Sequence, residues 1–136
     1  MNEKIAIVVS RFNGEITKKM SKAAQERIKN QKAQLAKVVE VPGAFEIPLA
    51  VKKILQDKKI HAVVTLGAII KGDTDHDEVI AHSIAKSLID LSLGYHKPIS
   101  LGVLGPNITW EQAEKRISEY SERAVDTVVE VLRENY

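Results

Sequence analysis

The sequence has no cysteine among its 136 residues. Disulfide bonds, thiolate metal sites and a cysteine nucleophile are therefore excluded. Hydrophobic runs are also short: none approaches the length of a membrane-spanning helix, and the first residues enter a strand-like segment without an apolar signal region. These absences predict a cytoplasmic protein that makes no contact with a membrane.

Aromatic residues are also few, and neither sign of charge is in large excess. Lysine and arginine together number 20 against 18 aspartate and glutamate residues, so the formal net charge is only +2. The basic residues are scattered among acidic ones, which is typical of a solvated surface and predicts no nucleic-acid partner. Because the chain has only two Phe, three Tyr and one Trp, an aromatic residue beside a candidate site is informative.

The most informative stretch that is present covers residues 62–80. Residues 62–70 form an almost unbroken apolar run, which is typical of a parallel strand buried on both faces. Residues 73–75 are good helix N-caps, and apolar residues then recur at helical spacing through positions 80, 84, 88 and 91. His76 is therefore predicted in the first turn of a helix, just beyond the carboxyl end of a buried strand, where open α/β sheets bind ligands.

The rest of the chain repeats this alternation of strand and helix. Strands are predicted at residues 5–9, 35–41, 62–70 and 99–104, each followed by a helix. The expected helix boundary signals are, in chain order, Asn13 as a cap, Pro48 in a first turn, Gly94 at a helix end, and a capping box of Thr109 with Gln112. The last helix is expected to run unbroken to Tyr136. The order predicts one α/β domain over residues 1–136, with helices on both faces of a four-stranded parallel sheet.

Four exit loops should meet at one edge of this sheet, namely residues 10–14, 41–46, 69–75 and 104–108. In the third loop, Gly72 permits close backbone approach, and the free amides at the helix start favour an anion. The neighbouring acidic side chains would repel a phosphate unless Lys71 or Arg116 compensates. Alternatively, these acids only cap a surface helix, and composition leaves both interpretations open.

Other chemistries fit the loops less well. Residues 73–77 are rich in hard metal ligands but lack the glycine and the closing glutamate of a calcium loop, and His76 and His82 do not share a helix face. A Gly-x-Ser-x-Gly nucleophile elbow is absent, and the first strand ends in Ser10-Arg11-Phe12 instead of the acids of a phospho-acceptor domain. The remaining role for His76 is that of a proton shuttle near neutral pH, beside an aromatic ring and an anion site.

Together, the loop segments resemble those of lumazine synthases, the penultimate enzymes of riboflavin biosynthesis. The segments that carry the resemblance are residues 11–13 (RFN), 41–48 (VPGAFEIP), 66–72 (LGAIIKG) with Thr74 and His76, 102–104 (GVL), and 111–113 (EQA) with Arg116. The resemblance implies a flavodoxin-like, three-layer α/β/α fold. It also implies the condensation of 5-amino-6-(D-ribitylamino)uracil with 3,4-dihydroxy-2-butanone 4-phosphate, with loss of phosphate and water and without a metal or organic cofactor.

The resemblance also implies roles for individual residues. Phe12 would stack on the pyrimidine, and Leu101 would add an apolar contact from a neighbouring subunit. The ribityl chain would bind at residues 44–46, and the backbone of residues 68–70 would read the pyrimidine edge. The residues with these implied contacts are Phe12, Ala44, Phe45, Glu46, Ala68, Ile69, Ile70 and Leu101.

The phosphate would be held by Asp73 and Thr74 through main-chain amides and a hydroxyl, with Arg116 as its countercharge. His76 would move protons during the condensation. Three features depart from the family's usual pattern. Asp77 stands where members often carry an aromatic residue, Leu101 stands where they often carry Phe, and residues 105–110 form a turn one residue longer than usual.

The resemblance further implies small-molecule substrates and a homopentamer with active sites between adjacent subunits. In some members twelve pentamers form an icosahedral capsid, and an association with riboflavin synthase is implied as well. Two alternatives share the fold: an archaeal-type riboflavin synthase relative, which should lack the Arg-Phe-Asn and Gly-x-Thr-x-His segments, and a non-catalytic flavin or lumazine carrier. A metal-dependent phosphohydrolase is a third.

Overall fold

The computed structural model describes residues 2–134, in which four strands alternate with five helices. The elements, in chain order, are β1 (Lys4–Ser10), α1 (Gly14–Asn30), β2 (Gln34–Val41), α2 (Ile47–Leu55), β3 (Ala62–Ile70), α3 (His76–Tyr95), β4 (Ile99–Ile108), α4 (Trp110–Lys115) and α5 (Ile117–Glu134). A single 3-10 turn at Ala44–Glu46 precedes α2. None of the helices in residues 2–134 has both the length and the apolar composition needed to cross a membrane.

The four strands form one parallel sheet in the order β2-β1-β3-β4. β1 and β3 lie in the middle, and residues 62–69 of β3 are all buried, as expected for a strand covered by helices on both faces. Because the strands are parallel, the loops that follow them reach the same edge of the sheet. The predicted three-layer α/β/α fold is confirmed.

Two apolar layers cover the sheet. One face packs against α1 and α5, where Met20 and Val125 are completely buried. The opposite face packs against α2 and α3, where Val51 and Leu88 are buried. Burial of one such side chain stabilises the fold by about 1.5–3 kcal/mol. The layers therefore hold β3 firmly at the point where its carboxyl end emerges.

α1 begins directly after Asn13, as predicted, but the expected side-chain cap is missing, and α3 ends at a different residue from the predicted one. Asn13 adopts a φ of 60° and its side chain does not cap α1, because its amide donates to the Ala68 carbonyl at 2.8 Å. Gly94 lies inside α3, and the helix ends instead at Tyr95, with His96 as its C-cap at a φ of 55°. Histidine tolerates this left-handed conformation better than most residues, so glycine is not required at the helix end.

The prediction of an unbroken C-terminal helix is wrong. The helix opens with the predicted capping box, but the chain leaves helical geometry at Arg116, between α4 and α5. The Arg116 N–H bonds to the Ala113 carbonyl, three residues back, in a 3-10 manner. The apolar periodicity continues across this break because it records only which face is buried. The predicted end at Tyr136 lies outside the described residues.

β4 is longer than predicted, because it continues through residues 105–108. Its ladder with β3 is interrupted there, since residues 105–107 stand opposite Ile69 alone. This bulge requires glycine at position 105: φ is +109°, and a Cβ there would collide with the Ile69 carbonyl oxygen. Residues predicted to form an exit loop are thus packed against the end of β3.

A polar cluster joins α1 to α5. The Arg27 guanidinium donates two hydrogen bonds to the Asp126 carboxylate, each at 2.8 Å, and Gln31 Nε2 donates a third at 2.7 Å. The hydrogen bond from Arg27 lowers the pKa of Asp126; partial burial opposes this shift, and Gln31 supports it. The ionised carboxylate therefore links two helices that are distant in sequence.

Replacing Asp126 with Asn removes the ion pair with Arg27 and is expected to lower the free energy of unfolding at neutral pH. The loss should be only about 1 kcal/mol, because solvent screens a partly exposed pair. Because the pKa of Asp126 is lower in the folded chain than in the unfolded chain, the ionised carboxylate stabilises the fold at pH values above the unfolded pKa. This stability is lost as the pH falls through the folded pKa. The wild-type Tm should therefore drop more steeply than that of Asp126→Asn between about pH 5 and pH 2. Asp90→Asn, which removes an exposed pair with Lys86, is the matched control. Equal slopes for wild type and Asp126→Asn would contradict this assignment.

Candidate active site

A cavity of about 400 Å³ opens at the carboxyl edge of the sheet, among the loops after β1, β2 and β3 and the first turns of α3. Its wall is mostly apolar, with a few polar groups, as is typical of sites for small molecules. The residues of the wall are Phe12, Asn13, Gly43, Ala44, Phe45, Ala68, Ile69, Ile70, Gly72, Thr74, His76, Asp77 and Ile80.

Most residues predicted to bind or convert a substrate lie in this wall. Phe12 and His76 share it, although they come from the loops after two different strands. This convergence follows from the topology, because parallel strands deliver their exit loops to one edge. The predicted residues brought together are Phe12, Ala44, Phe45, Ala68, Ile69, Ile70, Thr74 and His76.

Four predicted residues, Glu46, Leu101, Asp73 and Arg116, lie outside the wall in the described part of the chain. Glu46 Oε1 accepts the Gly43 N–H at 2.9 Å, so one carboxylate oxygen is engaged in the turn before α2. Leu101 is 50% exposed and lines a separate groove of about 170 Å³. Asp73 is exposed in the loop before α3, and Arg116 is exposed at the end of α4.

The floor of the cavity is the end of β3. Ala68 and Ile69 are buried there, and Asn13 Nδ2 donates to the Ala68 carbonyl at 2.8 Å. This bond fixes the loop after β1 to β3, so Asn13 belongs to the site. The sequence suggested only a helix cap at this position. Its place next to Phe12 in the Arg-Phe-Asn segment was the signal available for a role in the site.

Two phenylalanine rings lie at the cavity with little cover from the rest of the chain. Phe12 is 70% exposed and Phe45 is 69% exposed. Large apolar side chains exposed around a cavity are typical of a surface that a ligand or another protein chain covers. A flat heteroaromatic ring would find a stacking surface here.

The start of α3 contributes polar groups to the cavity. Thr74 Oγ1 accepts the His76 N–H at 3.2 Å, which orders the turn that presents both side chains. Lys71 Nζ lies 4.0 Å from the exposed Asp75 carboxylate. The amides and the dipole at the start of a long helix favour an anion such as phosphate. Within residues 2–134, no three His, Asp or Glu side chains converge in a way that would hold a metal ion.

Asp77 is the buried acid of this segment, since only 5% of the residue is exposed. Its Oδ2 accepts the backbone N–H of Asn107 at 3.0 Å. This hydrogen bond lowers the pKa of Asp77; burial opposes the shift, and the charge of Lys71 supports it. Asp77 is therefore ionised at neutral pH. In the sequence Asp77 was visible only as an unusual residue after His76, and nothing marked Asn107 as its partner.

A family model described as 6,7-dimethyl-8-ribityllumazine synthase matches residues 2–135. The chain belongs to the 6,7-dimethyl-8-ribityllumazine synthase family. The resemblance seen in the loop segments is thereby confirmed.

Three relatives illustrate the similarity, and each bears the name 6,7-dimethyl-8-ribityllumazine synthase. The protein from Metallosphaera sedula is 52% identical over 130 residues, which cover 96% of this chain and 86% of that protein. A relative from Saccharolobus islandicus is 45% identical, with 96% and 84% covered. The one from Methanothermobacter thermautotrophicus is 42% identical, with 96% and 93% covered. The similarity to these lumazine synthases therefore extends over nearly the whole chain.

Proposed function

We propose that this chain condenses 5-amino-6-(D-ribitylamino)uracil with 3,4-dihydroxy-2-butanone 4-phosphate to give 6,7-dimethyl-8-ribityllumazine. Membership of the family makes the chain a transferase of riboflavin biosynthesis, as predicted from the sequence. The observation that carries the assignment of the site is the shared cavity: Phe12, Thr74 and His76 offer a stacking face, an anion-binding hydroxyl and a proton carrier in one wall. We also propose a cytoplasmic location.

The apolar part of the cavity suits the pyrimidine. Phe12 would stack on the ring, and the backbone of residues 68–70 would read its edge. This segment lies where the bulge in β4 interrupts strand pairing, which supports a role for backbone groups that the ladder does not use. Ala44 and Phe45 would flank the ribityl chain. Glu46 would accept a ribityl hydroxyl with its second carboxylate oxygen, because the first is bonded to the Gly43 N–H.

The start of α3 suits the phosphate. The main-chain amides of Asp73 and Thr74 and the Thr74 hydroxyl would donate to its oxygens. Arg116 would supply the countercharge from an adjacent subunit, since it lies outside the wall formed by its own chain. Leu101, which is half exposed, would cover the pyrimidine from the same neighbour.

The chemistry needs proton transfers more than it needs a strong nucleophile. An amine nitrogen of the pyrimidine attacks the ketone carbon, and the adduct loses water to form an imine. Loss of a proton from the carbon next to the imine allows phosphate to leave, and the resulting enol becomes a ketone. The second amine of the pyrimidine then attacks this ketone carbon and closes the ring with loss of water. His76 would accept and return these protons. Holding the two substrates together would contribute much of the rate.

Replacing His76 with Ala is expected to lower kcat by about ten to a thousandfold with little change in KM, because a general acid–base is lost while the binding groups remain. The assay mixes both substrates with the purified protein and follows phosphate release together with lumazine fluorescence. His61→Ala is the control: this histidine accepts the Lys4 N–H at the opposite edge of the sheet. An unchanged kcat in His76→Ala would remove His76 from the mechanism. A carrier without activity would bind the lumazine and release no phosphate.

Replacing Arg116 with Ala should raise KM for the phosphate-bearing ketone by about tenfold or more, because a charge-assisted contact with the phosphate is lost. Lys115→Ala changes the neighbouring exposed cation and is the matched control, with KM expected within about twofold of wild type. Steady-state kinetics with the pyrimidine at saturation measures both. If the Lys115 variant loses affinity and the Arg116 variant does not, the countercharge has been assigned to the wrong residue.

The proposal extends to assembly as a homopentamer with sites between adjacent subunits. The exposure of Phe12, Leu101 and Ile89, at 70%, 50% and 60%, supports an apolar contact between chains. A capsid of twelve pentamers and an association with riboflavin synthase are further parts of the proposal. Light scattering should give a mass of five chains, or of twelve such pentamers, and native electrophoresis with added riboflavin synthase tests the association. A monomer in solution would contradict the proposed assembly.

A further inference from the structure

The loop of residues 72–76 is tied at both ends to one residue, Asn107. Before the loop, Lys71 Nζ donates to Asn107 Oδ1 at 3.3 Å. After the loop, Asp77 Oδ2 accepts the Asn107 N–H at 3.0 Å, and Glu78 Oε1 accepts from Asn107 Nδ2 at 2.9 Å. These contacts close the base of the loop, and we call them the Asn107 clamp.

Asp77 makes the strongest contact of the Asn107 clamp. Its bond to the backbone N–H is sheltered from solvent, whereas the contacts of Lys71 and Glu78 are exposed. An ionised acceptor in a sheltered place gives a stronger hydrogen bond than an exposed one. The other oxygen, Oδ1, is buried and has no hydrogen-bond partner within residues 2–134. Burying a carboxylate away from water costs free energy. An exposed capping residue would hold an ordinary surface turn at a lower cost in free energy.

Asn107 is itself fixed to the floor of the cavity. It lies in the bulge opposite Ile69 with a φ of 59°. The next residue, Ile108, accepts the Lys71 N–H at 2.9 Å. The Asn107 clamp therefore connects the loop of Thr74 and His76 to the rigid end of β3.

We propose that Asp77 is a positioning residue for the phosphate-bearing substrate. Together with Asn107 it holds residues 72–76 so that the amides and the hydroxyl of Thr74 converge on the phosphate. This inference rests on the proposed function. Without the Asn107 clamp the loop would lose conformational entropy each time the phosphate binds. None of the hydrogen bonds of the Asn107 clamp involves Phe12 or residues 68–70, which form the pyrimidine subsite, so the two substrates should respond differently.

The test compares KM for the two substrates in Asp77→Ala. KM for the phosphate-bearing ketone should rise about tenfold or more, because a charge-assisted hydrogen bond is lost, while KM for the pyrimidine should stay within about twofold. Calorimetric titration of the full chain with inorganic phosphate should show the same loss of affinity. That measurement does not depend on turnover.

Three further variants separate positioning from general stability. Asp77→Asn keeps an oxygen for the Asn107 N–H but loses the charge, so its phosphate affinity should lie between wild type and Asp77→Ala. Asn107→Gly keeps the N–H and tolerates the positive φ but loses two contacts, so it should weaken phosphate binding about threefold. Asp57→Ala removes a carboxylate that accepts the Lys59 N–H at 2.9 Å, at the opposite edge of the sheet, and should leave phosphate affinity unchanged.

A parallel rise in both KM values would overturn the positioning role, and so would wild-type phosphate affinity in Asp77→Ala. If Asp77→Ala does not fold, Asp77→Asn decides, and wild-type phosphate affinity in that variant overturns the inference. Absence of turnover in the wild-type chain would count against the proposed function instead. The phosphate titration still measures the effect of the Asn107 clamp in that case.

Discussion

Burial of β3 on both faces is the constraint on which the cavity depends. The strand lies between β1 and β4 and beneath both helical layers, so residues 62–69 have no freedom to shift without disturbing the core. Its carboxyl end therefore emerges at a fixed point, and Ala68 and Ile69 form a rigid floor. Because α3 begins only a few residues later, the same constraint determines where Thr74 and His76 can lie.

These features could be predicted because each leaves a pattern in the sequence. A strand buried on both faces is a continuous apolar run, and a helix that follows it shows N-cap residues and apolar spacing. Parallel topology then requires the exit loops to meet, which is why the sequence alone predicts that Phe12 and His76 lie close together. The order β2-β1-β3-β4 was not needed for that inference, since any parallel arrangement of adjacent strands gathers the loops at one edge.

What could not be predicted depends on single backbone conformations and on contacts between distant residues. Asn13 reads as a helix cap in sequence, yet its amide bonds a carbonyl 55 residues away. Asn107 lies in a turn that resembled an exit loop, yet its positive φ and its bond to Asp77 make it part of the wall's support. Apolar periodicity reports which face is buried, so it detected neither the break at Arg116 nor the bulge opposite Ile69.

The predicted site residues lie on separate surfaces of the chain, and this separation restricts how chains could assemble around a shared site. The cavity lies at the ends of β1, β2 and β3, whereas Leu101 lies on the edge strand β4, outside the wall. Two different surfaces of the chain must therefore meet if Leu101 is to cover Phe12 of a neighbour. Contacts between unlike surfaces are head-to-tail, and they close into a ring when the rotation between subunits divides a full turn evenly. In a two-fold dimer the contacts are mutual, so Leu101 and Phe12 would both have to belong to one self-complementary patch, whereas the proposed ring lets two separate surfaces complete each site.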